Sequence, residues 1–289
     1  MQRLSRLFCV FLLSLVAYIC YPTPAHQNVV FTTGYQTCFA QGFVSKEHST
    51  NNSDGIGEDT AFAIFELLLP DRSTWPDPVQ KVYAILTIDR TIRERTKNME
   101  WVKLTEIPTE TQQALIAIED HDFYNHGAIA IDGILRALLV NITAGEVVQG
   151  GSTLTQQLAK NLFLNDEQTL SRKIFEAFFA LMLEDKYSKD EILEMYFNTT
   201  YLGNGSTGIL AASRSYFGKL PSQLNLSESA IIAALPYAPS ALNPYENPQE
   251  CKKRQRLVID TMVKRNLIGD SVAKAAKETP VYLANGSSL

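Results

Sequence analysis

Apolar and polar positions alternate in several distinct ways along this chain, and the pattern divides it. Residues 7–21 are apolar except for Ser14, and Arg3 and Arg6 precede them. A run of about fifteen has the length of a signal-peptide core and is short for a comfortable crossing of about twenty residues. Two readings stay open: a cleaved leader, or a retained anchor, since Pro22 and Pro24 follow directly and no clean small-residue cleavage site appears. Either one leaves the positive flank in the cytoplasm and exports the rest. Residues 26–59 lack periodicity, and 45–59 form a polar Asn/Ser/Gly stretch that reads as a linker. Residues 60–69 are apolar, suited to a helix or a buried strand, and 82–88 suit a short strand.

From Pro108 the period becomes helical. Ala114, Leu115 and Ile118 lead to Glu119, and residues 134–142 make a second apolar helix. A third spans 153–163, opened by Gly150-Gly151-Ser152-Thr153. Leu170, Ile174, Phe178 and Leu181 mark the expected buried stripe of a fourth. Ser188 is placed to cap a fifth carrying Ile192, Leu193 and Tyr196, and helices over 227–235 and 252–265 complete the set. With no strand-helix alternation, the fold class is mostly α around a helical core.

Composition narrows the function classes. The 289 residues are 45% hydrophobic and 20% charged, as expected of a chain that buries a core. A net charge of −5 supplies no basic field for nucleic acid. Cys38 and Cys251 are the cysteines outside the apolar leader, and export permits a disulfide without establishing one.

Three blocks carry candidate chemistry. In Glu119-Asp120-His121-Asp122-Phe123-Tyr124-Asn125-His126, ionisable groups crowd the end of an apolar helix. A half-buried carboxylate there is suited to a general base, while the plain alternative is a helix end entering a polar loop. A metal reading through Asp120, His121, Asp122 and His126 lacks the H-E-x-x-H order. In Gly150-Gly151-Ser152-Thr153-Leu154-Thr155-Gln156-Gln157-Leu158-Ala159-Lys160, the spacing of Thr153 and Gln156 forms a capping box. Its glycines also suit an anion, with Lys160 as counter-charge. In Arg172-Lys173-Ile174-Phe175-Glu176, an i,i+4 pair between Arg172 and Glu176 is the plain reading; two cations beside a carboxylate also suit a pyrophosphate.

In this order the blocks resemble the peptidoglycan glycosyltransferases, glycosyltransferase family 51, which occur as monofunctional enzymes and as one domain of bifunctional penicillin-binding proteins. Glu119-Asp120-x-x-Phe123-x-x-His126, the Gly150 to Asn161 block and Arg172-Lys173-x-x-Glu176 are similar to its first three motifs. Lys189-x-Glu191-Ile192-Leu193-Glu194-x-Tyr196-x-Asn198 is similar to the fourth, and Tyr216-Phe217-Gly218-Lys219, Glu228-x-Ala230, Pro236-x-x-Pro239 and Asn243-Pro244 extend the likeness over about 101–267. Ala128 and Ala130 stand where the family usually has Gly and Asp, and Gln168 where a basic residue is common.

The resemblance implies a lysozyme-like helical domain with an N-terminal membrane anchor, arranged as anchor or signal 1–25, linker 26–80, glycosyltransferase domain 81–270 and tail 271–289. It implies polymerisation of lipid II into a β-1,4 glycan strand on the extracytoplasmic side of a bacterial cytoplasmic membrane, with other cell-wall synthesis proteins as potential partners. Glu119 and Glu176 would be catalytic, and Ser152, Gln156, Gln157, Lys160, Arg172 and Lys173 would bind substrate. No cofactor is required; a divalent cation, Mg or Mn, is permitted. The rivals are a lysozyme-like hydrolase, which needs no pyrophosphate clamp, and a degenerate lipid II-binding protein. Two motif look-alikes carry little. Gly203-x-Gly205-x-x-Gly208 follows a helix rather than a strand, and Ser271-x-x-Lys274 has no K-T-G after it.

Overall fold

The computed structural model describes residues 77–130, 151–164 and 169–289. The expectations for the leader, the linker, residues 60–69, the helix over 134–142, Gly150, Gln168 and Cys38 lie outside them. The chain divides into two compact units, 1–86 and 87–289. In the first, the described part is helix α1 (Asp77–Leu86). The second holds α2 (Ile88–Thr96), α3 (Thr109–Glu119), α4 (Leu154–Phe163), α5 (Leu170–Lys186), α6 (Lys189–Thr199), α7 (Ile209–Phe217), α8 (Leu226–Ala234), α9 (Pro248–Lys264) and α10 (Asp270–Glu278). Among the described residues β-structure is confined to two isolated bridges, Tyr201 with Thr207 and Tyr282 with Ser288. The mostly α expectation therefore holds.

Helix α8 is the centre of the second unit and packs against α3, α9, α7 and α10. Its sequence explains that place. Ser227, Ser229, Ala230, Ala233 and Ala234 are small, so neighbours approach closely, and every residue from Ser227 to Ala234 is buried. The buried hydroxyls are satisfied: Thr111 and Ser229 share a hydrogen bond of 2.7 Å, Ser227 Oγ donates to the Ala276 carbonyl, and Gln255 Nε2 donates to the Ser227 carbonyl at 2.8 Å. A second cluster joins α4 to α5 and α6. There Phe163 stacks on Phe179 with centroids 4.2 Å apart, and Leu154, Leu158, Leu183, Ile192 and Leu193 are fully buried.

Start signals for α4, α6 and α8 behave as their sequences dictate. Thr153, Ser188 and Asn225 each cap a helix, with Gln156, Glu191 and Glu228 reaching back to complete the box. Two expectations fail. Residues 82–86 are helical and Ile88 opens α2, so no strand forms at 82–88; a short apolar run satisfies either period. Of the stripe expected to be buried on α5, Leu170, Ile174 and Leu181 are turned outward, exposed at 79%, 51% and 49%, and Phe178 is half-buried. The buried face is Glu176, Phe179, Ala180 and Leu183, which keeps the same spacing.

The Gly203 to Gly208 loop joins α6 to α7, as its place after a helix required. Gly203 and Gly208 have φ of +85° and +84°, and a Cβ would lie 2.7 Å from the Pro239 carbonyl oxygen and 2.6 Å from that of Asn198. These glycines serve a tight turn.

Candidate active site

Helix α3 ends at Glu119, where the backbone turns out at Asp120 (φ −157°, ψ 73°). The fully buried Phe123 pins the loop that follows, and the Lys189 ammonium sits 4.6 Å from its ring centroid. Asp120 Oδ1 pairs with His126 Nε2 at 2.6 Å, and Oδ2 accepts the Leu154 backbone N–H at 2.9 Å. A carboxylate thus sits on the first N–H of α4, where the helix dipole favours negative charge. Thr153 Oγ1 accepts from Gln156 N and donates to the Ala128 carbonyl at 2.7 Å. The first and second motifs are locked together by side chain to backbone bonds. Ala128, one of the positions that depart from the family pattern, is buried in this junction.

Glu119 is half-buried. Gln157 Nε2 donates to its Oε2 at 2.9 Å, and Tyr196 Oη donates to Gln157 Oε1 at 2.9 Å. Burial raises the Glu119 carboxyl above the usual carboxylate range, and Asp120 adds to this. The Gln157 hydrogen bond and the charges of Arg254 and Lys160 oppose it without reversing it. A group desolvated yet faced by two cations has the character of a tuned base.

Helix α4 also serves the third block. Lys173 Nζ donates to Ser152 Oγ at 2.9 Å, just before the α4 N-terminus, and forms an ion pair with the buried Glu176. The i,i+4 pair expected between Arg172 and Glu176 is replaced, since the partner of Glu176 is Lys173, three residues before it. Arg172 donates its backbone N–H to Thr169 Oγ1 at 3.1 Å. The Arg172 and Arg254 Nε atoms are buried without a hydrogen-bond partner among the described residues. Gln156 is buried and its Oε1 accepts the Thr153 N–H at 3.0 Å, so its side chain shapes the loop.

Sequence reasoning missed Arg254, Tyr237 and the role of Tyr196. The Arg254 guanidinium lies 4.0 Å from the Tyr237 ring centroid, and its charge reaches Glu119 from α9. Its position was findable, because Cys251, Gln255, Val258 and Met262 form the buried face of α9 and Arg254 lies at that face's edge by helical spacing.

The described residues do not assemble a cation site: no group of three His, Cys, Asp or Glu side chains converges among them. Asp120 with His126 and His121 with Asp122 are separate pairs at 2.6 and 2.8 Å, and Glu176 is neutralised by Lys173.

Comparison with known proteins identifies the family. The family model described as Transglycosylase matches residues 87–263. Penicillin-binding protein 1A of Aquifex aeolicus (strain VF5) is 44% identical over 181 residues, 63% of this chain and 25% of that protein. Penicillin-binding protein 1F of Bacillus subtilis (strain 168) is 44% identical over 182 residues, 63% of this chain and 26% of that protein. This chain therefore spans about a quarter of the length of these relatives. A crystal structure of penicillin-binding protein 1A from Haemophilus influenzae aligns with a TM-score of 0.38 at 24% identity, over 64% of this chain and 18% of that one, a likeness too low to support an argument. The family match covers more than half of the chain, and the chain belongs to the transglycosylase family, the peptidoglycan glycosyltransferases that its ordered motifs resemble.

Proposed function

We propose that this protein polymerises peptidoglycan glycan strands from lipid II, a disaccharide-peptide carried on undecaprenyl pyrophosphate. The observation that carries the reading is Glu119: a carboxyl held above its usual pKa by burial, hydrogen-bonded by Gln157 and faced by Lys160 and Arg254. Glu119 takes the proton from the acceptor sugar's 4-hydroxyl while that oxygen attacks the donor's anomeric carbon. The bond from that carbon to the pyrophosphate oxygen breaks on the opposite face. An α-linked donor then gives a β-1,4 bond by inversion.

Negative charge grows on the leaving lipid pyrophosphate, and Lys160, Arg172 and Lys173 are the cations assigned to stabilise it. Glu176 acts through Lys173, since the ion pair and the bond to Ser152 hold that ammonium at the α4 entrance. A lipid-tailed substrate has to be met at a bilayer, so we place the catalytic unit on the extracytoplasmic face of the bacterial cytoplasmic membrane. Residues 1–25 are assigned as the membrane anchor or signal segment. Among the described residues no helix is long and apolar enough to cross a membrane.

Labelled lipid II incubated with the full chain tests this. Polymer that lysozyme digests and moenomycin blocks is expected, and Glu119→Gln should lower its rate by about 10²–10⁴-fold. Release of sugar from preformed glycan without polymer formation would establish a hydrolase instead.

A further inference from the structure

Two hydrogen bonds in series, from Tyr196 through Gln157, end on Glu119. We infer that Tyr196 and Gln157 are positioning residues that fix which oxygen of Glu119 takes the proton: Tyr196 Oη donates to Gln157 Oε1, Gln157 Nε2 donates to Glu119 Oε2, and Oε1 is left as the basic atom. The inference rests on the assignment of Glu119 as the base. It departs from the expectation that Gln157 binds substrate directly, because both ends of its amide are engaged by the protein.

The direction of the relay follows from chemistry. A glutamine amide has a donor end and an acceptor end of nearly the same shape, and its neighbours decide which way it points. Tyr196 is 1% exposed. Burial and the adjacent Glu119 charge hold its hydroxyl protonated, so it has a proton to donate to the carbonyl end of Gln157. The amide NH₂ is then aimed at Glu119. The ionised Glu119 carboxylate only accepts, so a flipped amide would set two acceptors face to face and lose that bond, even with the phenol oxygen accepting from the NH₂. The three residues come from α3, α4 and α6, so the relay also makes the orientation of the base depend on how those helices pack.

Both charge and hydrogen bonding then set the Glu119 titration. The groups facing it are Asp120 beside it, Lys160 from α4, Arg254 from α9, and Tyr196 from α6. Removing the Gln157 donor, or freeing its amide to rotate, withdraws a group that favours the charged carboxylate.

Kinetics and a direct titration test the relay separately. With the full chain and lipid II, Tyr196→Phe should lower kcat about three- to tenfold and Gln157→Ala about ten- to a hundredfold. KM should stay within about twofold, and the acid limb of the kcat–pH profile should move to higher pH. The double variant should be no slower than Gln157→Ala alone, because the Tyr196 hydroxyl acts only through the amide. Independently of catalysis, the Glu119 carboxyl resonance in ¹³C-glutamate-labelled protein, identified by its loss in Glu119→Gln, should titrate at higher pH in both single variants. Folding of Tyr196→Phe is checked by its thermal transition. An unmoved Glu119 titration overturns the relay, as does a Gln157→Ala effect confined to KM, or full multiplication of the two effects. A shifted titration in an enzyme whose Glu119→Gln variant still polymerises lipid II overturns the base assignment and with it the relay's catalytic role, whereas an unmoved titration overturns the relay alone.

Discussion

At the scale of single residues, this site places a carboxyl where folding does not favour it. Burial raises the Glu119 pKa in the folded state. The native state therefore binds a proton more tightly than the unfolded chain, and between the two pKa values stability falls as pH rises. That penalty is complete above the folded pKa and absent well below the unfolded value. Glu119→Gln keeps the shape, removes the charge and can still accept the Gln157 Nε2 hydrogen bond through its amide oxygen. The variant should be about 10²–10⁴-fold slower yet melt about 1–4 °C higher than wild type at pH 7.5, with the gap closing toward pH 4 in a calorimetric series. An equal or lower melting temperature at pH 7.5 would show that Lys160, Arg254 and Gln157 compensate the burial in full. The carboxylate was readable as a candidate from its place at an apolar helix end. Its tuning was not, because Gln157, Lys160 and Arg254 lie 38, 41 and 135 residues away in the chain.

At the scale of elements, helix starts were the most readable feature and helix faces the least. A capping box is a contact between residues three apart, so Thr153 with Gln156, Ser188 with Glu191 and Asn225 with Glu228 announce themselves locally. Helix α5 is apolar on more than one side. Leu170, Ile174 and Leu181 make one stripe, and Phe179, Ala180 and Leu183 make another. Periodicity identifies a helix but cannot choose between two such faces; the neighbours α4 and α6 choose. Changing Leu170, Ile174 or Leu181 singly to Gln should alter unfolding free energy by no more than about 0.5 kcal/mol. Leu183→Ala should cost about 2–5 kcal/mol. Urea denaturation of the four variants measures the contrast, and a core-sized loss at Leu170 or Ile174 would restore the original reading of the helix.

At the scale of the whole catalytic unit, the junction of α6, the loop after it and the segment before α3 holds distant pieces together. Asn198 Oδ1 accepts the Val102 N–H, and its Nδ2 donates to the carbonyls of Val102 and Glu194, each at 2.8 Å. Gly208 lies against the same residue's backbone with φ +84°, leaving 2.6 Å to the Asn198 oxygen for any Cβ. Gly208→Ala combines a left-handed backbone with a clash against main chain that cannot rotate away. It should cost at least about 2 kcal/mol and lower the melting temperature by about 4–8 °C or more, whereas Gly205→Ala, at φ +68° with nothing within 4 Å, should cost less. Equal losses would mean that backbone conformation alone, not the Asn198 approach, sets the cost.

What the sequence by itself determined was local and ordered: the capped starts of α4 and α6, the mostly α class, the succession of motifs, and the short list of ionisable and amide side chains able to do chemistry. What the tertiary structure alone decided was partnership. It set Lys173 rather than Arg172 on Glu176, put Gln156 into a cap and Gln157 onto Glu119, and brought Tyr196 and Arg254 to a site that their own neighbours in sequence do not indicate. The division has a physical cause. Capping and periodicity act over three or four residues and are written where they act, while desolvation, charge and hydrogen-bond direction at Glu119 depend on groups that meet only when α3, α4, α6 and α9 have packed.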